Sequence, residues 1–253
     1  MTLRIHHLNC GTLHAPPNPR AACHCLLLES DGRLALVDTG IGLLDVADPQ
    51  GRIGGSLIEI AGFQFHEDQT AIRQIERLGY RVADVTDIVL THGDPDHTGG
   101  LADFPKAAVH LSSEELARLA TGHWRYLPAH FSHRPDWRTC GPANQQWFGL
   151  EARPVKLAFG ADVQLIPLFG HTLGHCGVAL RHNDRWLLHV GDAYYLRVEL
   201  STDDHPVSAL TAQRADDDGL RRDSLTRLRR LANDHPDEIE LFGYHDFGEF
   251  PNA

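Results

Sequence analysis

The run Thr91-His92-Gly93-Asp94-Pro95-Asp96-His97-Thr98-Gly99-Gly100 follows directly on the apolar segment Ile88-Val89-Leu90. His92, Asp94, Asp96 and His97 are all able to bind a metal ion, and they fall within six residues. Imidazole nitrogens and carboxylate oxygens together are the donors that hold divalent cations. An apolar strand that empties into such a turn restricts the fold, because the strand has to be buried while its end opens on a polar cleft. A polar loop that is merely rich in histidine is the competing explanation, since the chain carries 18 of them. Partners elsewhere in the sequence weigh against it.

A site for two ions needs more donors than these four. Three later residues share one context, a strand end followed by a loop. His171 sits in Pro167-Leu168-Phe169-Gly170-His171-Thr172-Leu173-Gly174-His175, Asp192 ends Trp186-Leu187-Leu188-His189-Val190-Gly191-Asp192, and His245 ends Leu241-Phe242-Gly243-Tyr244-His245. Each alone would ordinarily be a surface or satisfied core residue. Four such stretches in this order are hard to assign to chance.

Around them, short apolar runs alternate with turns. Cys23–Glu29 and Leu34–Val37, separated by Ser30-Asp31-Gly32, form a β-hairpin pattern. Cys23-His24-Cys25 resembles a metal clip, but strand alternation puts the thiols on one face and His24 on the other, so a buried strand is expected. Ala71, Ile72, Ile75 and Leu78 mark one face of a helix over 67–78, with Gly79 as its C′ residue. Ala107–Leu111 reads as a strand, and Ser112-Ser113-Glu114-Glu115 as a capping box for a helix ending near Gly122. Strands are expected at 163–168, 176–181 and 186–190. A helix carrying Leu220, Leu225, Leu228 and Leu231 then precedes a last strand, Ile239–Phe242.

Residues 123–150 differ, with Trp124, Tyr126, Phe131, Trp137, Trp147 and Phe148 interleaved with Pro and His. An irregular or helical insertion is expected there, serving as an apolar pocket, a lid or a homodimer surface. Strands flank helices at both ends of the chain, which favours one layered α/β domain over residues 1–253.

The pattern resembles that of the metallo-β-lactamase superfamily, His-x-His-x-Asp-His followed by a distant His, Asp and His. The likeness spans essentially the whole chain, including Val37-Asp38-Thr39-Gly40. It implies an αββα sandwich with two divalent metal ions at one edge of two packed sheets. By the same resemblance, His92, Asp94 and His171 hold the first ion, Asp96, His97 and His245 hold the second, and Asp192 bridges them. A hydroxide between the ions then attacks an electrophilic carbonyl, with Asp96 handling the proton. Tyr195, three residues after Asp192, resembles the tyrosine of the superfamily's N-acyl homoserine lactone lactonases. That likeness implies a hydrogen-bond donor to the oxyanion or leaving group.

Position 94 departs from the pattern, being Asp where the hydrolytic members usually carry His. A third carboxylate makes the site less positive, which disfavours Zn²⁺ and favours harder ions such as Mn²⁺ or Fe²⁺. The same departure leaves open a non-catalytic binding protein holding one metal.

Partners and setting follow from composition. Lys plus Arg number 23 against 34 Asp plus Glu, a net charge of −11 that suits neither nucleic acid nor an anionic membrane. No stretch approaches the roughly 20 apolar residues of a bilayer span. The start Met1-Thr2-Leu3-Arg4-Ile5-His6-His7 is not a basic region leading into an apolar one, and the five cysteines are odd in number and scattered. A cytoplasmic protein acting on a small ester or lactone is expected. With only a short tail after His245, the extra domain of glyoxalase II-like thioesterases is not expected, and a compact thioesterase is the nearest enzymatic alternative.

Overall fold

Strict alternation along the strands sorts their side chains into separate layers. The computed structural model describes residues 3–251. Met1, Thr2, Asn252 and Ala253, at the ends of the expected 1–253 domain, lie outside the described residues. The first sheet contains β1 (Arg4–Ala15), β2 (Asn18–Ser30), β3 (Arg33–Val37), β4 (Phe63–Gln64), β5 (Val85–Val89), β6 (Ala108–Ser112) and β7 (Asp136–Cys140), in the order β4-β1-β2-β3-β5-β6-β7. The second contains β8 (Gln145–Trp147), β9 (Leu150–Val155), β10 (Val163–Pro167), β11 (Cys176–His182), β12 (Arg185–His189) and β13 (Ile239–Phe242), in the order β13-β12-β11-β10-β9-β8. Helices are α1 (Leu43–Ala47), α2 (Pro49–Arg52), α3 (Gly55–Ala61), α4 (Ala71–Arg77), α5 (Pro95–Thr98), α6 (Ser113–Leu119), α7 (Pro206–Arg214) and α8 (Asp218–Asp234).

In β2, Leu26 and Leu28 enter a core shared with Val163, Leu165, Val178 and Leu180 of the second sheet. Cys23, Cys25 and Leu27 belong instead to a core on the opposite face, with Ala71 and Ile75 of α4. The third core lies across the second sheet, where Ile166, Ala179 and Leu188 meet Leu225, Leu228 and Leu231 of α8. Three cores separate four layers, which is the αββα sandwich expected. Period-two alternation makes the register specific, because a one-residue slip would exchange the two cores facing a strand.

The hairpin of β2 and β3 forms as expected, and His24 turns away from the two thiols to stack on Phe250 at 3.8 Å. Gly79 ends α4 with φ +86°. Two expectations need correction. Residues 123–150 are not free of sheet: Asp136–Cys140 forms the parallel edge strand β7, and Gln145–Trp147 forms β8. Their mixed aromatic and polar pattern suits edge strands, which bury only part of each face, and this hid them from a search for apolar runs. Leu220 is exposed at 41%, so the apolar stripe of α8 begins later than its leucines suggest.

Strand direction explains where a site can form. Strands β3, β5, β6 and β7 pair in parallel, as do β12 and β13. β10 is antiparallel to β11, which is antiparallel to β12, so β10 runs with β12. The C-terminal ends of β3 and β5 therefore share one sheet edge, as do those of β10, β12 and β13, and loops there can converge. Among the described residues, no helix is long and apolar enough to cross a membrane.

Leu165→Ala tests the core between the sheets. A fully buried leucine there should stabilise the fold by about 2–5 kcal/mol, measured by urea denaturation. A change within about 0.5 kcal/mol, as at an exposed position, would contradict this packing.

Candidate metal centre

Each site residue sits just past a strand end. Asp38 follows β3, the segment His92–His97 follows β5 and runs into α5, His171 follows β10, Asp192 follows β12 and His245 follows β13. The turn before Asp192 requires glycine. Gly191 has φ +54°, and a Cβ there would lie 2.6 Å from Nε2 of His175.

The side chains form two groups able to hold a metal ion, His92, His171 and Asp192 in one, and Asp96, His97 and His245 in the other. Asp192 lies between them. Its Oδ2 is 3.4 Å from His171 Nε2 and 3.2 Å from His245 Nε2, and its Oδ1 is 3.3 Å from His97 Nε2. Asp96 Oδ2 is 3.7 Å from both His97 Nε2 and His245 Nε2. Asp94 Oδ2 reaches the first group, 3.1 Å from His171 Nε2 and 3.5 Å from His92 Nε2. All seven residues expected to hold metal converge.

The histidine rings are oriented from behind. His97 Nδ1 donates to Asp38 Oδ2 at 2.8 Å, and His245 Nδ1 donates to the carbonyl of Ala22 at 2.8 Å. The Thr91 hydroxyl gives its one proton to Asp38 Oδ2, so its oxygen accepts from His92 Nδ1 at 3.0 Å. The Nε2 lone pairs of His92, His97 and His245 are thereby turned into the centre, the arrangement metal-ligating histidines require, whereas His171 Nδ1 has no such partner among the described residues. His92 Nε2, His97 Nε2 and Asp192 Oδ1 are buried with no hydrogen-bond partner among the described residues. Buried polar atoms are seldom left so, and a cation between them would satisfy all three.

Electrostatics point the same way. Burial disfavours charge on His97, but Asp38, Asp192 and Asp96 outweigh it and hold its pKa well above the ordinary histidine value. Asp192 is held well below the carboxylate range against its own burial, by His245, His97 and His171. Asp94 is lowered likewise against burial, chiefly by Arg125. Buried carboxylates that draw protons onto neighbouring imidazoles will draw a metal ion to the same nitrogens, with release of those protons.

Tyr195 sits as expected beside the centre, its ring 4.8 Å from that of His245 and 6.0 Å from that of His171. Its hydroxyl makes no hydrogen bond among the described residues, whereas its backbone N–H is fixed by Glu199. Four residues with a part in the site were not picked out from the sequence. In the sequence Asp38 stands out only as part of a turn. His175 donates from Nδ1 to Leu168 O and accepts the Asp192 N–H at Nε2, so it shapes the Asp192 turn and is no ligand. The sequence predicts a capping box that includes Glu115, but only half of that box forms. Ser112 Oγ accepts from Glu115 N, while the Glu115 carboxylate accepts from Gly93 N, the Tyr126 hydroxyl and the Thr172 hydroxyl. It thus ties the His92 loop to the His171 loop. Arg125 lay unnoticed in the aromatic segment, with no spacing to connect it to Asp94.

The two groups open on a cavity of about 700 Å³, within the range of small-molecule sites. Asp94, Asp96, Asp192, Tyr195 and His245 form one side of it, and Leu13, Ile53, Leu57, Phe63, Leu127 and Leu210 supply apolar wall. From 123–150 only Trp124, Arg125 and Leu127 take part, so the aromatic segment is not itself the pocket. The wall comes mainly from β1, α3 and α7.

The sequence profile of the metallo-beta-lactamase superfamily matches residues 18–241. A probable metallo-hydrolase of Mycobacterium tuberculosis is 38% identical over 255 residues, covering 96% of this chain and 80% of that protein. The N-acyl homoserine lactonase AttM of Rhizobium radiobacter is 31% identical over 178 residues, covering 67% of this chain and 64% of its own length. Among solved structures, B. thuringiensis AiiA with N-decanoyl-L-homoserine bound superposes with a TM-score of 0.73 at 21% identity, covering 98% of this chain and 96% of AiiA. At that identity the likeness is one of fold.

Asp38→Asn tests the orientation of His97. Loss of the charged acceptor behind a ligand should weaken metal binding about 10–100-fold, measured by chelator competition on folded protein. Unchanged affinity would contradict the role given to Asp38.

Proposed function

The chain belongs to the metallo-beta-lactamase superfamily, and on that premise we propose that it is a metal-dependent hydrolase that opens a lactone or small ester, an N-acyl homoserine lactone being the best-matched substrate. His92, Asp94 and His171 would hold one divalent ion and Asp96, His97 and His245 a second, with Asp192 shared between them. Two such ions, when bound, acidify water and polarise an ester carbonyl.

The chain's own residues do the rest. Asp96 lines the cavity and accepts the proton that the attacking oxygen gives up. Tyr195 donates its free hydroxyl to the oxygen on which negative charge develops, the carbonyl oxygen at first and the leaving oxygen later. Apolar wall from β1, α3 and α7 receives the acyl part of the substrate and keeps bulk water from it. One observation carries the reading: both metal-binding groups face a single cavity whose remaining wall is largely apolar. The relative AttM, named for N-acyl homoserine lactone hydrolysis, supports the substrate class. The proposal includes a single domain spanning 1–253 and a cytoplasmic setting, which suits five unpaired cysteines.

Protein of verified metal content, assayed by pH-stat, should release protons from acyl homoserine lactones, and Asp192→Ala should abolish this. Tyr195→Phe should lower kcat by about 10²-fold or more, as for loss of one oxyanion donor. Silence toward short- and long-chain lactones with both ions bound would overturn the lactonase reading.

A further inference from the structure

The substitution of Asp for His at position 94 has a counterpart 31 residues away in the sequence. Arg125, on the loop after α6, is only 8% exposed, and its guanidinium is spread over three oxygen acceptors. Nε donates to Asp94 Oδ1 at 2.6 Å, Nη1 to Asp216 Oδ1 at 3.0 Å, and Nη2 to the Arg214 carbonyl at 2.6 Å. Nη2 also lies 3.1 Å from His171 Nε2. The Asp94 carboxylate is divided as a result. Oδ1 belongs to Arg125, while Oδ2 faces His92 and His171.

We propose that Asp94 and Arg125 act as one unit in place of the superfamily's histidine, Oδ2 serving as donor to the first ion while the guanidinium aims the carboxylate and cancels its charge. This rests on the dinuclear reading above and adds a positioning residue to it. A carboxylate alone in this place would be a poor substitute for imidazole, for two reasons. It can rotate and offer either oxygen, and it lowers the charge of the centre by one. Arg125 removes both objections, because its planar fork fixes one oxygen and its charge restores the balance. Asp216, the fork's second carboxylate, is itself approached by Arg118 at 3.6 Å, so the four side chains together are neutral. From the sequence, Asp94 alone favours Mn²⁺ or Fe²⁺ over Zn²⁺. With the pair counted, the centre has the charge of a three-histidine one, and Zn²⁺ is no longer disfavoured on that ground. Lysine would not replace this arginine, since a single ammonium cannot span acceptors set around a fork.

The experiment counts metal without any substrate, by titrating Zn²⁺ and Mn²⁺ into apo protein against a chelator. Wild type should bind two Zn²⁺ per chain. Arg125→Gln should keep one and weaken the other about 10–100-fold, with the preference at the weakened site moving toward Mn²⁺. The double variant Asp94→His, Arg125→Gln should recover two tight Zn²⁺, because imidazole needs no counter-charge; a purely structural arginine would not be rescued this way. If Arg125→Gln lacks the wild-type circular dichroism, Arg125→Lys takes its place in both comparisons, and weakening with rescue by Asp94→His is again expected. Two tight Zn²⁺ in the single variant, or no rescue in the double one, would overturn the pairing while leaving the hydrolase reading intact. Fewer than two Zn²⁺ in wild type would overturn the dinuclear reading and the pairing with it.

Discussion

Asp38 is fully buried and held in the left-handed region at φ 55°, a conformation that costs a non-glycine residue on the order of 1 kcal/mol. Three hydrogen bonds offset it. Asp38 accepts from Thr91 N, from the Thr91 hydroxyl and from His97 Nδ1. One carboxylate therefore joins the ends of the parallel strands β3 and β5, sets the ring of His97 directly and sets that of His92 through Thr91. The orientation of His92 and His97 follows from this buried contact between two strand ends.

A second lock acts across the sheets. Glu115 fastens the loop after β5 to the loop after β10, and His175 fixes the turn that presents Asp192. The converging side chains thus come from two separate sheets, and four of the seven are restrained by a neighbour outside the two groups: His92 by Thr91, His97 by Asp38, His245 by the Ala22 carbonyl and Asp94 by Arg125. Rigid support of this kind holds donors in place before an ion arrives.

Much of this was legible in the sequence, and the part that was not has a physical cause. The residues that converge could be read because each is a His or Asp placed where an apolar strand ends, and burial of those strands leaves a strong periodic pattern. The αββα layering is implied by the family resemblance, and the two alternating apolar sets of β2 give it a physical basis. Edge strands β7 and β8 escaped because a half-exposed strand lacks an apolar run. Arg125, Glu115 and His175 escaped for a different reason: their partners are brought to them only by the fold, at separations of 31, 57 and 17 residues. The charge count at Asp94 has the same gap, since a guanidinium brought in from a remote loop is invisible to a local motif.

The central claim is that two triads of this chain, sharing Asp192, hold two divalent ions on one face of an apolar-walled cavity. Crystals of Zn²⁺-loaded protein measured at the zinc edge test it most directly. The expected result is two anomalous peaks, one bounded by His92, Asp94 and His171 and the other by Asp96, His97 and His245, with Asp192 between them. A single peak, or density at other residues, would contradict the account.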